Sequence, residues 1–428
     1  MNAMHRKALS GIVLIIIALG LFSFLLITSS PQNTQNSKGK TVIMMMDALG
    51  WDIVTENIGS LPNIRHIADN GVHGKLKPVS PTFSVANHAA FFSSKRSDKM
   101  DWYYAFIFMP PGGWDCSKSF TRELPSVESD TDVLKTLTST GKRVSRVMIP
   151  NGESLDAGAV QNALENSDVL YIYDPTPDSL GHITNITDKK NALSYLKISD
   201  ANLGMVLDAL RSRGLLEKSN IIVFGDHGMA AIDKFPKWRL IVEDLEAMGV
   251  SEDNACYWND AGVSVRFWFR NESAQKQLEP KIRDYFMNRV ADRECFFVPD
   301  GEYLRSHNVL HPDAEKKRAS LGDLIVGVNV KCKLVYEGVI PVFLQDFEEK
   351  LHEVDAYVSM HGYLDNDHEE TIAFIGMTGP LFRKNAQVEM DMVDVAPTLM
   401  CGMGYKNEDY YNTIDGKARC DVVNECRC

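Results

Sequence analysis

Acidic and imidazole side chains gather in five short segments of this sequence, most of them at the end of an apolar run. They are Met46-Asp47-Ala48, Ser80-Pro81-Thr82-Phe83-Ser84-Val85-Ala86-Asn87-His88, Tyr173-Asp174-Pro175-Thr176-Pro177-Asp178-Ser179-Leu180-Gly181-His182, Phe224-Gly225-Asp226-His227-Gly228-Met229 and Met360-His361-Gly362-Tyr363. Aspartate and histidine together suit zinc, which accepts carboxylate oxygen and imidazole nitrogen. Two such ions a few ångströms apart clamp the attacking and leaving oxygens of an in-line phosphoryl displacement. A serine hydroxyl beside them is a weak nucleophile at neutral pH that metal coordination activates. Each segment alone is a weak signal, because an Asp or Ser after a strand commonly just caps a helix. Five together, in a definite order, are hard to attribute to chance.

The elements that must position these groups are legible as apolar runs. Thr41–Met46 reads TVIMMM and ends at Asp47, as a strand buried on both faces does. Val144–Ile149, Val169–Tyr173, Ile221–Gly225 and Thr371–Ile375 are further runs of this kind, and Asn191–Gly214 has helical spacing between them. Alternating strands and helices predict an α/β sheet sandwiched by helices. In such a sheet active groups collect beyond the carboxyl ends of the strands. From about Lys234 to Asp355 the pattern changes. Gly262–Phe269 alternates, Ala274–Val290 is amphipathic, and Phe296–Val298 and Leu324–Val335 look like short strands. We expect an inserted smaller α+β subdomain at about 234–355, with the main sheet resuming at His361.

The chain has 428 residues, 44% hydrophobic and 24% charged, enough for a large core and too apolar for wholesale disorder. Its 45 basic and 57 acidic residues give a net charge of −12, which argues against a binder of polymeric nucleic acid. His5, Arg6 and Lys7 precede an uncharged apolar run from Ala8 to about Thr28. That run is long enough to cross a ~30 Å hydrocarbon core, and the flanking charge places the N-terminus in the cytoplasm. The expectation is a type II single-pass protein. Residues 1–7 are cytoplasmic, 8–28 form a signal-anchor, 29–40 a polar linker, and 41–428 an extracellular or lumenal catalytic domain. Cleavage near Thr28-Ser29-Ser30 would release it. The 8 cysteines (Cys116, Cys256, Cys295, Cys332, Cys401, Cys420, Cys426 and Cys428) all follow the apolar run and suit an oxidising compartment, though the sequence leaves their pairing open. The sequons Asn185-Ile186-Thr187 and Asn271-Glu272-Ser273 agree with it.

The order strand-Asp, Pro-Thr-x-Ser-x-x-Asn, Pro-Asp-x-x-Gly-His, Asp-His-Gly-Met and His-Gly-Tyr resembles the nucleotide pyrophosphatase/phosphodiesterase (type I phosphodiesterase) family of the alkaline phosphatase superfamily. The resemblance covers roughly residues 41–405, with supporting similarity in Leu61-Pro62-Asn63, Leu321-Gly322-Asp323-Leu324 and Gly379-Pro380-Leu381-Phe382. It implies two zinc ions per chain. Asp47, Asp226 and His227 would hold one, which also contacts Ser84; Asp178, His182 and His361 would hold the other. Ser84 stands where the nucleotide enzymes usually have threonine and falls three residues before Asn87, as the family pattern requires. The resemblance makes Ser84 the nucleophile, forming a phosphoryl- or nucleotidyl-enzyme, and Asn87 a donor to a non-bridging phosphate oxygen. The expected substrate is a small phosphodiester or nucleotide.

The chain departs from the family around its substrate pocket. His88–Phe108 lacks the usual Thr-Gly and His-Gly segments, and Ile183-Thr184-Asn185 replaces a Gly-Pro after His182. Lys95, Arg96 and Lys99 could meet a substrate phosphate or form an exposed basic loop. Trp102, Tyr103 and Tyr104 could stack on a base or pack within the fold. Pro-Thr-Phe-Ser also resembles phosphonoacetate hydrolases of the same superfamily, so a C–P hydrolase or a phosphotransferase on the same bimetal frame is an alternative. An inactive ectodomain kept as a binding module is the alternative of another class.

Overall fold

A computed structural model describes residues 39–100, 132–336 and 356–426. The apolar run Ala8–Thr28, Cys116, Cys428 and the Trp102-Tyr103-Tyr104 cluster lie outside the described residues. Among the described residues no helix is long and apolar enough to cross a membrane.

The strands, in chain order, begin with β1 (Thr41–Met46), β2 (Val72–Lys77), β3 (Val144–Met148), β4 (Val169–Asp174) and β5 (Asn220–Phe224). A short β6 (Ala230–Ala231) precedes β7 (Ala255–Asp260), β8 (Ser264–Phe269), β9 (Phe296–Phe297) and β10 (Leu324–Val328). A second short strand, β11 (Ser359–Met360), leads to β12 (Ala373–Thr378) and β13 (Ala386–Asp391). The main sheet has the order β13-β2-β12-β5-β1-β4-β3. β3, β4, β1 and β5 pair in parallel, as do β2 and β13, whereas β12 runs antiparallel to both of its neighbours. All strands but β12 therefore point one way, and their carboxyl ends share one edge of the sheet.

Every residue of β1 is buried. Ile43 and Met45 enter the core on one face, and Val42, Met44 and Met46 enter the core on the other. The second face is covered by α1 (Trp51–Asn57), α2 (Pro62–Asp69) and two later helices, Ala157–Asn166 and Leu193–Ser212. The first is covered by α3 (Ser84–Ser93), Val133–Ser139 and Val395–Gly402. This is the helix-sandwiched α/β sheet that the apolar runs predict.

The differences have physical causes. β2 reads VHGKLK and buries alternate residues, while β13 exposes its Gln387 and Glu389, so neither shows a continuous apolar run. The expected strand Thr371–Ile375 begins two residues later, at Ala373, because Glu369–Thr371 forms a 3-10 turn. The helix expected over Asn191–Gly214 occupies Leu193–Ser212, and Gly214 lies beyond its end at φ 63°.

Within the 234–336 stretch a second, antiparallel sheet has the order β7-β8-β10-β9. It carries a core of its own, with Trp238, Phe267, Phe286 and Val326 among its members. Sequence patterning misses β7 (ACYWND), whose partner β8 follows a three-residue connection, residues 261–263, with Ala261 and Gly262 at φ 49° and 83°. Cys295 is bonded to Cys332 and Cys420 to Cys426, and no described cysteine is free. β6 pairs antiparallel with β11, Ala230 opposite Met360 and Ala231 opposite Ser359. The stretch thus leaves and rejoins the main body at adjacent points.

Candidate active site

Four strand ends and one return loop deliver the groups singled out by type and order. Asp47 follows β1, Asp226 and His227 follow β5, and Ser84 opens α3 after the loop leaving β2. Asp178 and His182 lie one turn apart on α4 (Thr176–Ile183), which begins beyond β4. His361 follows β11.

These residues form two clusters. Asp47, Asp226 and His227 each offer a ligand atom to one; Asp178, His182 and His361 do so for the other. In the first, His227 Nε2 lies 3.3 Å from Asp47 Oδ1 and 3.5 Å from Asp226 Oδ2. Ser84 Oγ stands 3.0 Å from the same nitrogen and 3.4 Å from Asp47 Oδ1. In the second, Asp178 Oδ1 lies 3.3 Å from His182 Nε2 and 3.1 Å from His361 Nε2. The clusters adjoin: the His227 and His361 rings stack with centroids 3.8 Å apart.

What surrounds the ligand atoms fixes their direction. His182 Nδ1 meets the Ser359 carbonyl at 2.9 Å, His227 Nδ1 the Gly228 carbonyl at 2.9 Å, and His361 Nδ1 the Thr82 carbonyl at 3.2 Å. A carbonyl only accepts, so each neutral ring carries its proton on Nδ1 and turns the Nε2 lone pair inward. Asp226 Oδ1 accepts from the Ala48 and His227 amides, both at 3.0 Å. Tyr173 donates its hydroxyl to Asp47 Oδ2. The outward-facing atoms are therefore satisfied. By contrast, Asp178 Oδ1 and Asp226 Oδ2 are buried and make no hydrogen bond, despite the nitrogens around them.

The local backbone is built for this convergence. Gly362 has φ 91°, and a Cβ there would come within 2.2 Å of the Phe83 ring. Only glycine lets His361 and the residue before Ser84 approach so closely. A Cβ on Gly225 would meet the Leu49 carbonyl at 2.5 Å, so that position too admits no side chain where β5 passes the β1 loop.

Charge is concentrated here. Burial, with the Asp226 and Asp178 carboxylates close by, pushes Asp47 up to about 7. Burial opposes ionisation of Asp178 as well, but His182 and His361 hold it well below the usual carboxylate range. His227 rises to about 10, because Asp226 and Asp47 outweigh the cost of burial, whereas burial and the neighbouring His227 lower His361 to about 4. Three carboxylates and three imidazoles in one buried volume cannot all adopt their preferred states. A bound cation would reconcile them.

Other residues named from the sequence are placed differently. Asn87 is fully buried. Its Oδ1 accepts from the Val79 amide at 2.7 Å, and its Nδ2 donates to the Phe83 carbonyl at 3.0 Å. These bonds fix the Asn87 side chain against the backbone of the loop that carries Ser84. Arg96 pairs with Asp391 and Lys99 with Asp415, so both tie the segment after α3 to the C-terminal part of the chain.

Three contributors escaped assignment. Tyr173 and His88 lie within the quoted segments, and the expected position of their strand and helix could have flagged them. His88 Nε2 stands 3.2 Å from Asp226 Oδ2, and its ring packs edge-on against Tyr173. Tyr357 stacks on His182 at 4.0 Å, and no short segment marks it.

A family model described as type I phosphodiesterase / nucleotide pyrophosphatase matches residues 41–99 and 98–364. Ectonucleotide pyrophosphatase/phosphodiesterase family member 3 of Bos taurus is 22% identical over 394 residues, covering 85% of this chain. The chain spans only 41% of that relative's length. Murine ectonucleotide pyrophosphatase/phosphodiesterase 5 has a similar fold, with TM-score 0.66 and 17% identity over 90% of this chain and 100% of that one. An inactive threonine-to-alanine variant of the murine protein, solved in complex with AMP, matches equally well, again at TM-score 0.66 and 17% identity over 90% of this chain and 100% of that one. The chain belongs to the type I phosphodiesterase/nucleotide pyrophosphatase family.

Proposed function

We propose that this chain is a zinc-dependent phosphodiesterase or nucleotide pyrophosphatase. It hydrolyses small phosphodiester or pyrophosphate substrates through a Ser84-linked intermediate. The observation that carries the reading is the convergence of six ligand atoms, in two adjoining sets, beside one partly accessible serine. Orphaned Asp178 Oδ1 and Asp226 Oδ2, together with three inward Nε2 lone pairs, fit two cations and suit zinc by donor type. Asp47, Asp226, His227 and Ser84 would hold one ion, and Asp178, His182 and His361 the other. When bound, the pair would supply Lewis acidity toward the serine hydroxyl, the phosphate oxygens and the hydrolytic water.

The chain's own residues do the rest. Ser84 Oγ forms a bond to phosphorus as the alcohol or phosphate leaving group departs on the opposite side. Its place at the start of α3 brings the positive end of that helix to the developing negative charge. Asn87, fixed against the loop that carries Ser84, would add a donor toward a non-bridging phosphate oxygen. Tyr173 holds Asp47 in place through the reaction, and Gly362 keeps His361 against the Ser84 loop. Water then cleaves the Ser84–phosphorus bond and restores the hydroxyl.

The polar linker and apolar run before residue 41 support anchorage as a type II protein with the catalytic domain outside the cytoplasm, and the disulfides agree. A nucleotide is the favoured substrate class because one structural relative was solved with AMP. Metal analysis and turnover of a chromogenic nucleotide phosphodiester test the reading on purified protein. About two zinc per chain and measurable hydrolysis are expected. A folded, metal-free chain without turnover would overturn it in favour of a binding module.

A further inference from the structure

We propose that Asn185 carries an N-linked oligosaccharide at the rim of the active-site cleft, and that this sugar restricts the enzyme to small phosphodiesters. The inference rests on the extracellular or lumenal placement argued above. Asn185 and Thr187 of the sequon are exposed, while Ile186 between them is fully buried and anchors the loop. Asn185 Oδ1 accepts from the Thr187 amide at 3.0 Å, which leaves Nδ2, the atom to be modified, without a hydrogen bond among the described residues.

The surroundings suit a sugar. Thr184 is extended, at φ −102° and ψ 126°, so Ile183 and Asn185 project to the same side of the chain. Ile183 is 62% exposed, the most exposed of the large apolar side chains described. The apolar face of a first sugar ring on Asn185 would cover it.

The loop is also bound to the site. Ser359 accepts from His182 Nδ1 through its carbonyl, and its hydroxyl donates to the Thr184 carbonyl at 2.9 Å. Asn185 lies three residues after His182, so their Cα atoms are at most about 11 Å apart. A branched oligosaccharide there would obstruct a long phosphodiester chain and leave room for a nucleotide. Asn271 differs: its Oδ1 caps a helix by accepting from the Ala274 amide at 3.0 Å, far along the chain in the second sheet's subdomain.

In the modification, Asn185 Nδ2 bonds to the anomeric carbon of an oligosaccharide carried on a lipid diphosphate. Nδ2 loses one proton, and the lipid diphosphate departs with the electrons of the broken carbon–oxygen bond. To test it, the full chain is expressed in a glycosylating secretory host and digested with peptide-N-glycosidase in heavy-oxygen water, which converts modified asparagine to labelled aspartate. Label at Asn185 supports the proposal. Chain recovered from the membrane or medium with Asn185 unlabelled overturns it and leaves the placement standing. Chain retained in the cytosol with neither sequon labelled overturns the placement and the proposal together. Asn185→Gln and Thr187→Ala then remove the acceptor in two ways, the second keeping the asparagine and its contacts. A several-fold rise in hydrolysis of a long oligonucleotide, with a mononucleotide nitrophenyl ester unchanged, is expected from both. If the two substrates change alike, or neither changes, the rim role is wrong.

Discussion

His88 Nε2 stands 3.2 Å from Asp226 Oδ2, yet both atoms are buried without a hydrogen bond. The nitrogen is close to the carboxylate but not aligned on it, and the ring is held edge-on by Tyr173. This contact sets a second imidazole nitrogen against the same Asp226 oxygen that His227 Nε2 approaches at 3.5 Å. Replacing His88 with glutamine is expected to lower kcat or zinc affinity by about 10- to 100-fold, the usual effect of losing an outer partner of a metal ligand. Circular dichroism should remain native. Unchanged kinetics with unchanged zinc content would remove His88 from the site.

Tyr173 and Asp47 give a complementary test. Tyr173→Phe deletes the hydroxyl donated to Asp47 Oδ2 and little else. Zinc affinity at the Ser84 cluster is expected to fall by about 10-fold or more. A competitive chelator titration measures it, and a wild-type curve would contradict the assignment.

Ser84→Ala should abolish turnover while largely preserving zinc content, because the six Asp and His side chains of the two clusters remain and only the Ser84 oxygen is lost. Ser84→Thr should retain activity, since family members commonly use threonine there. A Ser84→Ala enzyme that still turns over would require a different nucleophile.

Gly362→Ala forces a Cβ within 2.2 Å of Phe83 at a φ of 91°. Strain of that kind costs about 1–3 kcal/mol, and relief would push His361 away from Asp178. The expected result is a lower Tm together with loss of about one zinc per chain. A drop in Tm with full zinc occupancy would show that the backbone can relax without moving the ligand.

Metal removal should destabilise the native state as a whole, because ions that bind only the folded form add stability as RT ln(1 + [L]/Kd). Unfolding midpoints with and without chelator measure the difference. Restoring zinc should return the original midpoint.

The sheet was legible where strands are buried on both faces. TVIMMM suits an interior strand, and Asp47 stands at the end of that strand. β2 and β13 are partly exposed and charged, so their pairing is set by tertiary context that no local pattern carries. The residues of the two Asp/His clusters were legible because chain order and residue type survive in the sequence. The hydrogen bonds of Asn87 were not, because a sequence gives an amide's position and not its direction. On the buried side of α3, its side chain accepts from the Val79 amide and adds a second bond to the Phe83 carbonyl, which already accepts from the Asn87 amide nitrogen. Tyr357 was invisible for another reason: its stacking on His182 joins distant parts of the chain.

The pairing of β6 with β11 also bears on how such a chain tolerates change. The subdomain begins just after His227 and ends just before His361, and its two connections are zipped side by side. It sits in the main fold as a guest whose ends are clasped. Length or sequence can therefore vary inside the guest without displacing either histidine, since the clasp and not the intervening chain sets their separation.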